Sequence, residues 1–185
     1  MVVVGIDEVG RGCWAGPVVA GAVILGNPIA GLRDSKRLSK KQREQLAAEV
    51  EVQALAVGLG WVSPQEIDEL GLTRAVELAM RRALEQIEAF YDEVIIDGHF
   101  NFLSDDPRAR AVIKADDSVP SVSAASIIAK VARDKYMAGL AGQYPDYGFE
   151  SHVGYGTALH HERLKLHGVC ELHRRSFKPI QALIQ

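Results

Sequence analysis

Three apolar, β-branched runs in this sequence stop on acids. "VVVGIDE" ends on Asp7 and Glu8, "EVIID" on Asp97, and "AVIKADD" on Asp116 and Asp117. Short runs of this kind form buried strands. One acid after a strand is an ordinary turn former. Acids closing neighbouring strands of one sheet instead bring carboxylates together at one edge. There they repel and raise one another's pKa unless a cation lies among them. Hard oxygen donors suit Mg²⁺ or Mn²⁺, and no Cys/His set has zinc spacing. Two such ions about 4 Å apart can activate a water and stabilise the leaving oxygen of a phosphodiester. The pattern therefore points to phosphoryl transfer, and to hydrolysis in particular.

The remaining elements fit a mixed sheet flanked by helices. Residues 2–7, 17–25, 52–62, 93–97 and 109–116 are predicted strands, the first two forming a hairpin-like pair. Ser39 with Gln42 and Ser63 with Glu66 have capping-box spacing, and Pro64 follows the second cap. Residues 39–51, 72–90, 123–143 and 157–168 are predicted helices, and residues 178–185 a short one. Gly168 is the expected stop of the fourth. No repeat or linker interrupts the chain. The expectation is one catalytic domain over residues 1–185, in which about 140–185 form a helical extension.

The net charge of −3 does not by itself suggest a polyanionic partner, but the distribution does. Residues 1–43 hold seven Lys/Arg against three Asp/Glu, and residues 151–185 hold five against two with five of the six histidines. Residues 44–110 hold five against fourteen. If the fold joins the two ends, one face is positive. No run is long enough to span a membrane, and no leader pattern opens the chain. Cys13 and Cys170 read as free thiols of a reducing compartment. A soluble, cytoplasmic protein is expected.

The first acidic pair is followed by Gly10-Arg11-Gly12. Glycines let backbone approach a ligand, Arg11 can hold a phosphate, and a bare backbone can test a ribose for its 2′-hydroxyl. A plain tight turn is the simpler alternative.

These segments resemble ribonuclease HII, the type 2 ribonuclease H. The stretch "GIDEVGRGCWAGPVVAGAVIL" is similar to the family's N-terminal signature, "LRDSKRLSKKQRE" to its DSK segment and "VIIDG" to its third-acid strand. "KADDSVPSVSAASIIAKVARD" resembles its KGD…AASIxAK…RD block, and "YPDYGFESHVGYGTALHHERLKLHGVCELHRRSF" its HKGY…HGxxxxHRxSF block. The resemblance implies a ribonuclease H-like fold with a C-terminal helical extension that helps bind the duplex. It implies cleavage of RNA in RNA–DNA hybrids and at single ribonucleotides embedded in duplex DNA, leaving 5′-phosphate and 3′-hydroxyl ends. It implies two Mn²⁺ or Mg²⁺ ions on Asp7, Glu8, Asp97 and Asp116. Ribose sensing falls on Gly10, Arg11 and Gly12, and phosphate contacts near Ser35, Lys36, Ser126 and Lys130. Tyr155 would stack on the deoxyribose after the ribonucleotide.

The chain departs from the family pattern in two blocks. KGD is Lys114-Ala115-Asp116, followed by Asp117, and HKGY is His152-Val153-Gly154-Tyr155. Block alignment and strand alternation both select Asp116 over Asp117. Val153 removes a lysine from the nucleic-acid side. Lys130 and Arg133 fit a solvated helix face, Arg174-Arg175 fit phosphate binding or plain surface, and the histidines carry no assigned role. A type HIII-like ribonuclease and a noncatalytic hybrid-binding protein remain as rivals. The first is disfavoured by the absence of an extra N-terminal domain, the second by four acids that would repel a phosphate backbone. A monomer is expected, and "PIQALIQ" offers no clamp-binding QxxLxxFF pattern.

Overall fold

The computed structural model describes residues 1–32, 35 and 38–184. Five strands form one mixed sheet in the order β3-β2-β1-β4-β5. They are β1 (Val3–Val9), β2 (Val18–Leu25), β3 (Ala54–Val62), β4 (Glu93–Asp97) and β5 (Ala109–Val112). β1, β2 and β3 form an antiparallel meander, whereas β4 and β5 run parallel to β1. The helices are α1 (Lys40–Gln53), α2 (Pro64–Leu70), α3 (Leu72–Leu84), α4 (Ala115–Ser118), α5 (Pro120–Gly139), α6 (Phe149–His152), α7 (Ala158–His167) and α8 (Lys178–Ile184). Among the described residues no helix is long and apolar enough to cross a membrane.

Strand alternation sends β-branched and small side chains to both faces. Val4, Ile6, Ala20, Ala22 and Ile24 pack with Ala75, Val76, Ala79 and Met80 of α3. On the other face Val23 packs with Ala124, Ala125, Ile127 and Ile128 of α5. Paired glycines let both helices lie close. A methyl group at Gly58 or Gly60 would collide with backbone of α3, and one at Gly5 or Gly21 with backbone of α5. A third apolar cluster, around Phe149, Leu164, Leu172 and Ile180, anchors the C-terminal helices. The chain ends do meet: Ala15 bridges His173, and the Arg174 N–H donates to the Trp14 carbonyl.

Both capping boxes form, at Ser39/Gln42 and Ser63/Glu66, with Pro64 in the first turn of α2. Several boundaries differ from expectation; α5, for one, spans Pro120–Gly139 rather than 123–143. β1 runs two residues further, so Asp7 and Glu8 lie inside the hairpin, opposite Gly21 and Ala20. α3 stops at Leu84 rather than near residue 90. The Gln86 side chain there turns to the Leu59 backbone, accepting from its N–H and donating to its carbonyl. β5 stops at Val112 and does not run to Asp116. Lys114 takes a left-handed conformation (φ 56°), which no strand residue can hold, and Asp116 lies in the helical turn α4.

Candidate active site

The β1–β4 register pairs Ile6 with Ile96, so Asp7 and Asp97 follow side by side. Gly5 and Gly21 face α5, and Asp7, two residues on and opposite Gly21, shares that face. Its carboxylate accepts from its neighbour's backbone, Glu8 N–H to Oδ1 at 2.7 Å, and from the Ser126 hydroxyl on α5. Desolvation first, then the charges of Glu8 and Asp97, push the Asp7 pKa up to about 8, against those two hydrogen bonds. Burial also raises Glu8, opposed by Arg11, whose Nη1 donates to Glu8 Oε1 at 3.0 Å.

Asp97 fixes the fourth acid by an indirect route. Its Oδ1 accepts the Ala115 N–H at 2.8 Å and the Asp116 N–H at 3.4 Å, capping the short helix α4 from another strand. Ser123 Oγ donates to the Asp116 carbonyl at 2.6 Å. Asp116 is buried and Asp117 exposed. The alternation argument that selected Asp116 therefore falls, because these residues are helical, but burial separates the pair in the same direction.

The donor set is all carboxylate oxygen, and its neighbours and desolvation make Asp7 resist ionisation in the absence of a cation. That chemistry fits a hard divalent cation. Among the described residues, no three acidic, His or Cys side chains are already drawn into a finished ion cage.

The Gly10–Gly12 loop divides by role. Gly10 (φ 90°) is buried, and a side chain there would collide with Arg133 and the Pro17 carbonyl. Gly12 is exposed and faces open space for 4 Å. Arg11 is half-exposed and lies 5.9 Å from the centre of the Phe102 ring. Ser35 and Ser126 are buried and share a hydrogen bond of 3.0 Å. Lys36 lies outside the described residues. Lys130 pairs with Asp134 at 2.9 Å, and its Nζ lies 5.2 Å from the centre of the Tyr155 ring.

Sequence reading missed the support beneath this loop. Arg133 is not on a solvated face: it is wholly buried and donates to the carbonyls of Pro17, Val153 and Ala15 at 2.8–3.0 Å. Arg174, also wholly buried, donates to the carbonyls of Gly16 and Arg11 at 3.0 and 2.9 Å. Its Nη2 finds no acceptor among the described residues, and desolvation lowers its pKa to about 10. One signal was available. Ser126, Lys130 and Arg133 recur at i, i+4, i+7, one face of α5.

A mixed sheet with helices on both faces and a carboxylate edge beside a basic, backbone-rich loop defines a metal-dependent nuclease of the ribonuclease H-like class. Comparison with known proteins agrees. The family model described as Ribonuclease HII matches residues 4–180. The ribonuclease HII of Shewanella loihica is 48% identical, covering 98% of this chain and 89% of that protein. That of Dichelobacter nodosus is also 48% identical, covering 99% of this chain and 97% of that protein. Among solved structures, ribonuclease H2 of Pyrococcus horikoshii OT3 superposes with a TM-score of 0.84 at 28% identity, over 99% of this chain and 97% of that one. A ribonuclease HIII solved in complex with Mn²⁺ shares the fold, with a TM-score of 0.77 at 22% identity over 100% of this chain and 69% of that one. The chain belongs to the ribonuclease HII family. It is a hydrolase, a ribonuclease H-type endonuclease that degrades RNA in RNA–DNA hybrids.

Proposed function

We propose that this enzyme cleaves both RNA–DNA hybrids and duplex DNA at single embedded ribonucleotides, leaving 5′-phosphate and 3′-hydroxyl ends. Asp7, Glu8, Asp97 and Asp116 would hold two Mn²⁺ or Mg²⁺ ions. Bound there, such ions supply a water of lowered pKa and neutralise charge on the leaving 3′-oxygen. The observation that carries this reading is Asp7, whose carboxylate is raised to about 8 by burial and by the neighbouring acids Glu8 and Asp97. A half-buried, like-charged edge of this kind costs stability unless a cation meets it.

The chain's own residues set the specificity. The Gly10–Gly12 backbone, open at Gly12, would meet the ribose and test its 2′-hydroxyl. Tyr155, 37% exposed, would lie against the deoxyribose that follows. Phosphate contacts would fall on Arg11, Ser35, Ser126 and Lys130, with residues from about 140 onward tracking the duplex backbone as part of one catalytic domain. The enzyme would act as a cytoplasmic monomer in removing ribonucleotides from DNA.

The test is cleavage of three duplexes with and without Mn²⁺: all DNA, one ribonucleotide in DNA, and a long hybrid. Metal-dependent cutting of the second and third, with the first intact, is expected. Cutting of the long hybrid alone would refute the embedded-ribonucleotide reading.

A further inference from the structure

Three histidines far apart in sequence meet beneath Tyr155. His152, His160 and His173 are all buried. The rings of His152 and His160 stack with centroids 4.2 Å apart, and His160 Nε2 lies 3.1 Å from His173 Nε2. Backbone donors fix how the protons are placed. The Cys170 N–H donates to His173 Nδ1 at 3.0 Å, so the His173 proton resides on Nε2 and points at His160. His160 Nε2 must then accept, which leaves its proton on Nδ1, donated to the Tyr155 carbonyl at 2.9 Å. The Gly154 N–H donates to His152 Nδ1 at 3.2 Å, and His152 Nε2 donates in turn to the Tyr147 carbonyl at 2.8 Å. The Tyr155 N–H is taken by the His152 carbonyl at 2.9 Å. Every ring nitrogen of the three has a partner.

The segment so held is also tied to the N-terminal loop. The Trp14 N–H donates to the Gly154 carbonyl at 2.8 Å, and the Tyr155 side chain hydrogen-bonds Cys13, one residue past Gly12. We infer that the hydrogen bond from neutral His160 to the Tyr155 carbonyl, with His173 and His152 packed around it, is a positioning device that sets the Tyr155 ring relative to the Gly10–Gly12 loop. It thereby sets selectivity for an isolated ribonucleotide over a long hybrid. The inference rests on the proposed role of Tyr155 as the sugar contact. These histidines move no proton in the reaction; His160 acts through Tyr155. Burial supports the neutral state, lowering His160 and His173 to about 4 and His152 as well.

The test compares His160→Asn, His160→Gln, Tyr155→Ala and the His160→Gln/Tyr155→Ala double variant of the full chain with Mn²⁺. Asn keeps an N–H near the position of Nδ1; Gln reaches Nε2 and loses it. We expect His160→Gln to lose about tenfold in kcat/KM on the single-ribonucleotide duplex relative to the hybrid, and His160→Asn to stay within about twofold of wild type. The double variant should be no worse than Tyr155→Ala, because both changes remove one interaction. Alkylation of Cys13, located by mass spectrometry, should speed up in His160→Gln and reports the loop even in a poorly active protein. Unchanged selectivity and unchanged Cys13 alkylation in His160→Gln would overturn the inference. So would fully additive losses, or equal losses in the Asn and Gln variants. Wild-type selectivity in Tyr155→Ala would instead remove the sugar-contact reading, and the inference with it.

Discussion

The carboxylate edge and the layer behind the Gly10–Gly12 loop differ in how their polar groups are satisfied. At the edge, Asp7 is pushed up to about 8, and Glu8 pairs with a half-exposed arginine. In the layer behind, Arg133 meets three carbonyls, His173 and His160 form a directed hydrogen-bond chain to the Tyr155 carbonyl, and His152 stacks on His160. The edge is electrostatically unfinished, as a site awaiting a cation and a phosphodiester should be. The layer is largely finished, Arg174 Nη2 being its one buried polar atom without a partner among the described residues. Function is concentrated where the fold leaves its charges uncompensated.

Asp7→Asn attacks the edge. On the proposed mechanism Asp7 holds a metal ion, so cleavage should fall at least about a thousandfold while duplex binding largely survives. The metal-free variant should nevertheless be more stable than wild type at neutral pH, by roughly 1–3 kcal/mol, because the cost of protonating Asp7 on folding is gone. Equal loss of binding and cleavage, or a lowered melting temperature, would count against the comparison. Arg133→Met attacks the layer and should have the opposite signature. It strands three carbonyls, so urea denaturation should show a loss of about 3 kcal/mol or more.

The two regions should also respond to acid in opposite directions. His160 and His173 lie near 4 in the fold against 6.5 ordinarily, so the unfolded chain takes up protons that the fold refuses. Their contribution is complete above about 6.5 and is lost as pH falls toward about 4, by roughly 2–3 kcal/mol per ring. Asp7, raised from 3.8 to about 8, becomes more favourable over the same descent, because the fold binds a proton that the unfolded chain lacks. Acid unfolding of metal-free Asp7→Asn should therefore be steeper than that of wild type. The smallest stability effect belongs to Gly12→Ala. A methyl there meets nothing within 4 Å, so stability should change by less than about 0.5 kcal/mol while cleavage falls. Unaltered cleavage would remove Gly12 from the substrate contact.

Much of the edge was legible in the chain because its signals are local. β1, β2, β3 and β4 follow from short β-branched runs, and both capping boxes formed at the residues that announce them. Asp116 was selected by block alignment and strand alternation, and its setting was misread as a strand. The cause is a left-handed lysine at position 114, which no periodicity betrays. The layer was hidden for a different reason. Arg133 reads like any charged helix residue until the Ala15, Pro17 and Val153 carbonyls surround it, and those lie 20 to 118 residues away. The three histidines have no ligand spacing because their partners are mostly backbone atoms and one another.

The most direct test of the unfinished edge is thermal denaturation of wild type and Asp7→Asn across a Mn²⁺ titration at one pH near neutrality. A cation that binds only the folded edge stabilises by about 2.7 kcal/mol at a hundred times its dissociation constant. The wild-type melting temperature should climb by several degrees and overtake that of Asp7→Asn, which should barely move. Equal shifts in the two proteins, or none in wild type, would contradict a cation site at Asp7.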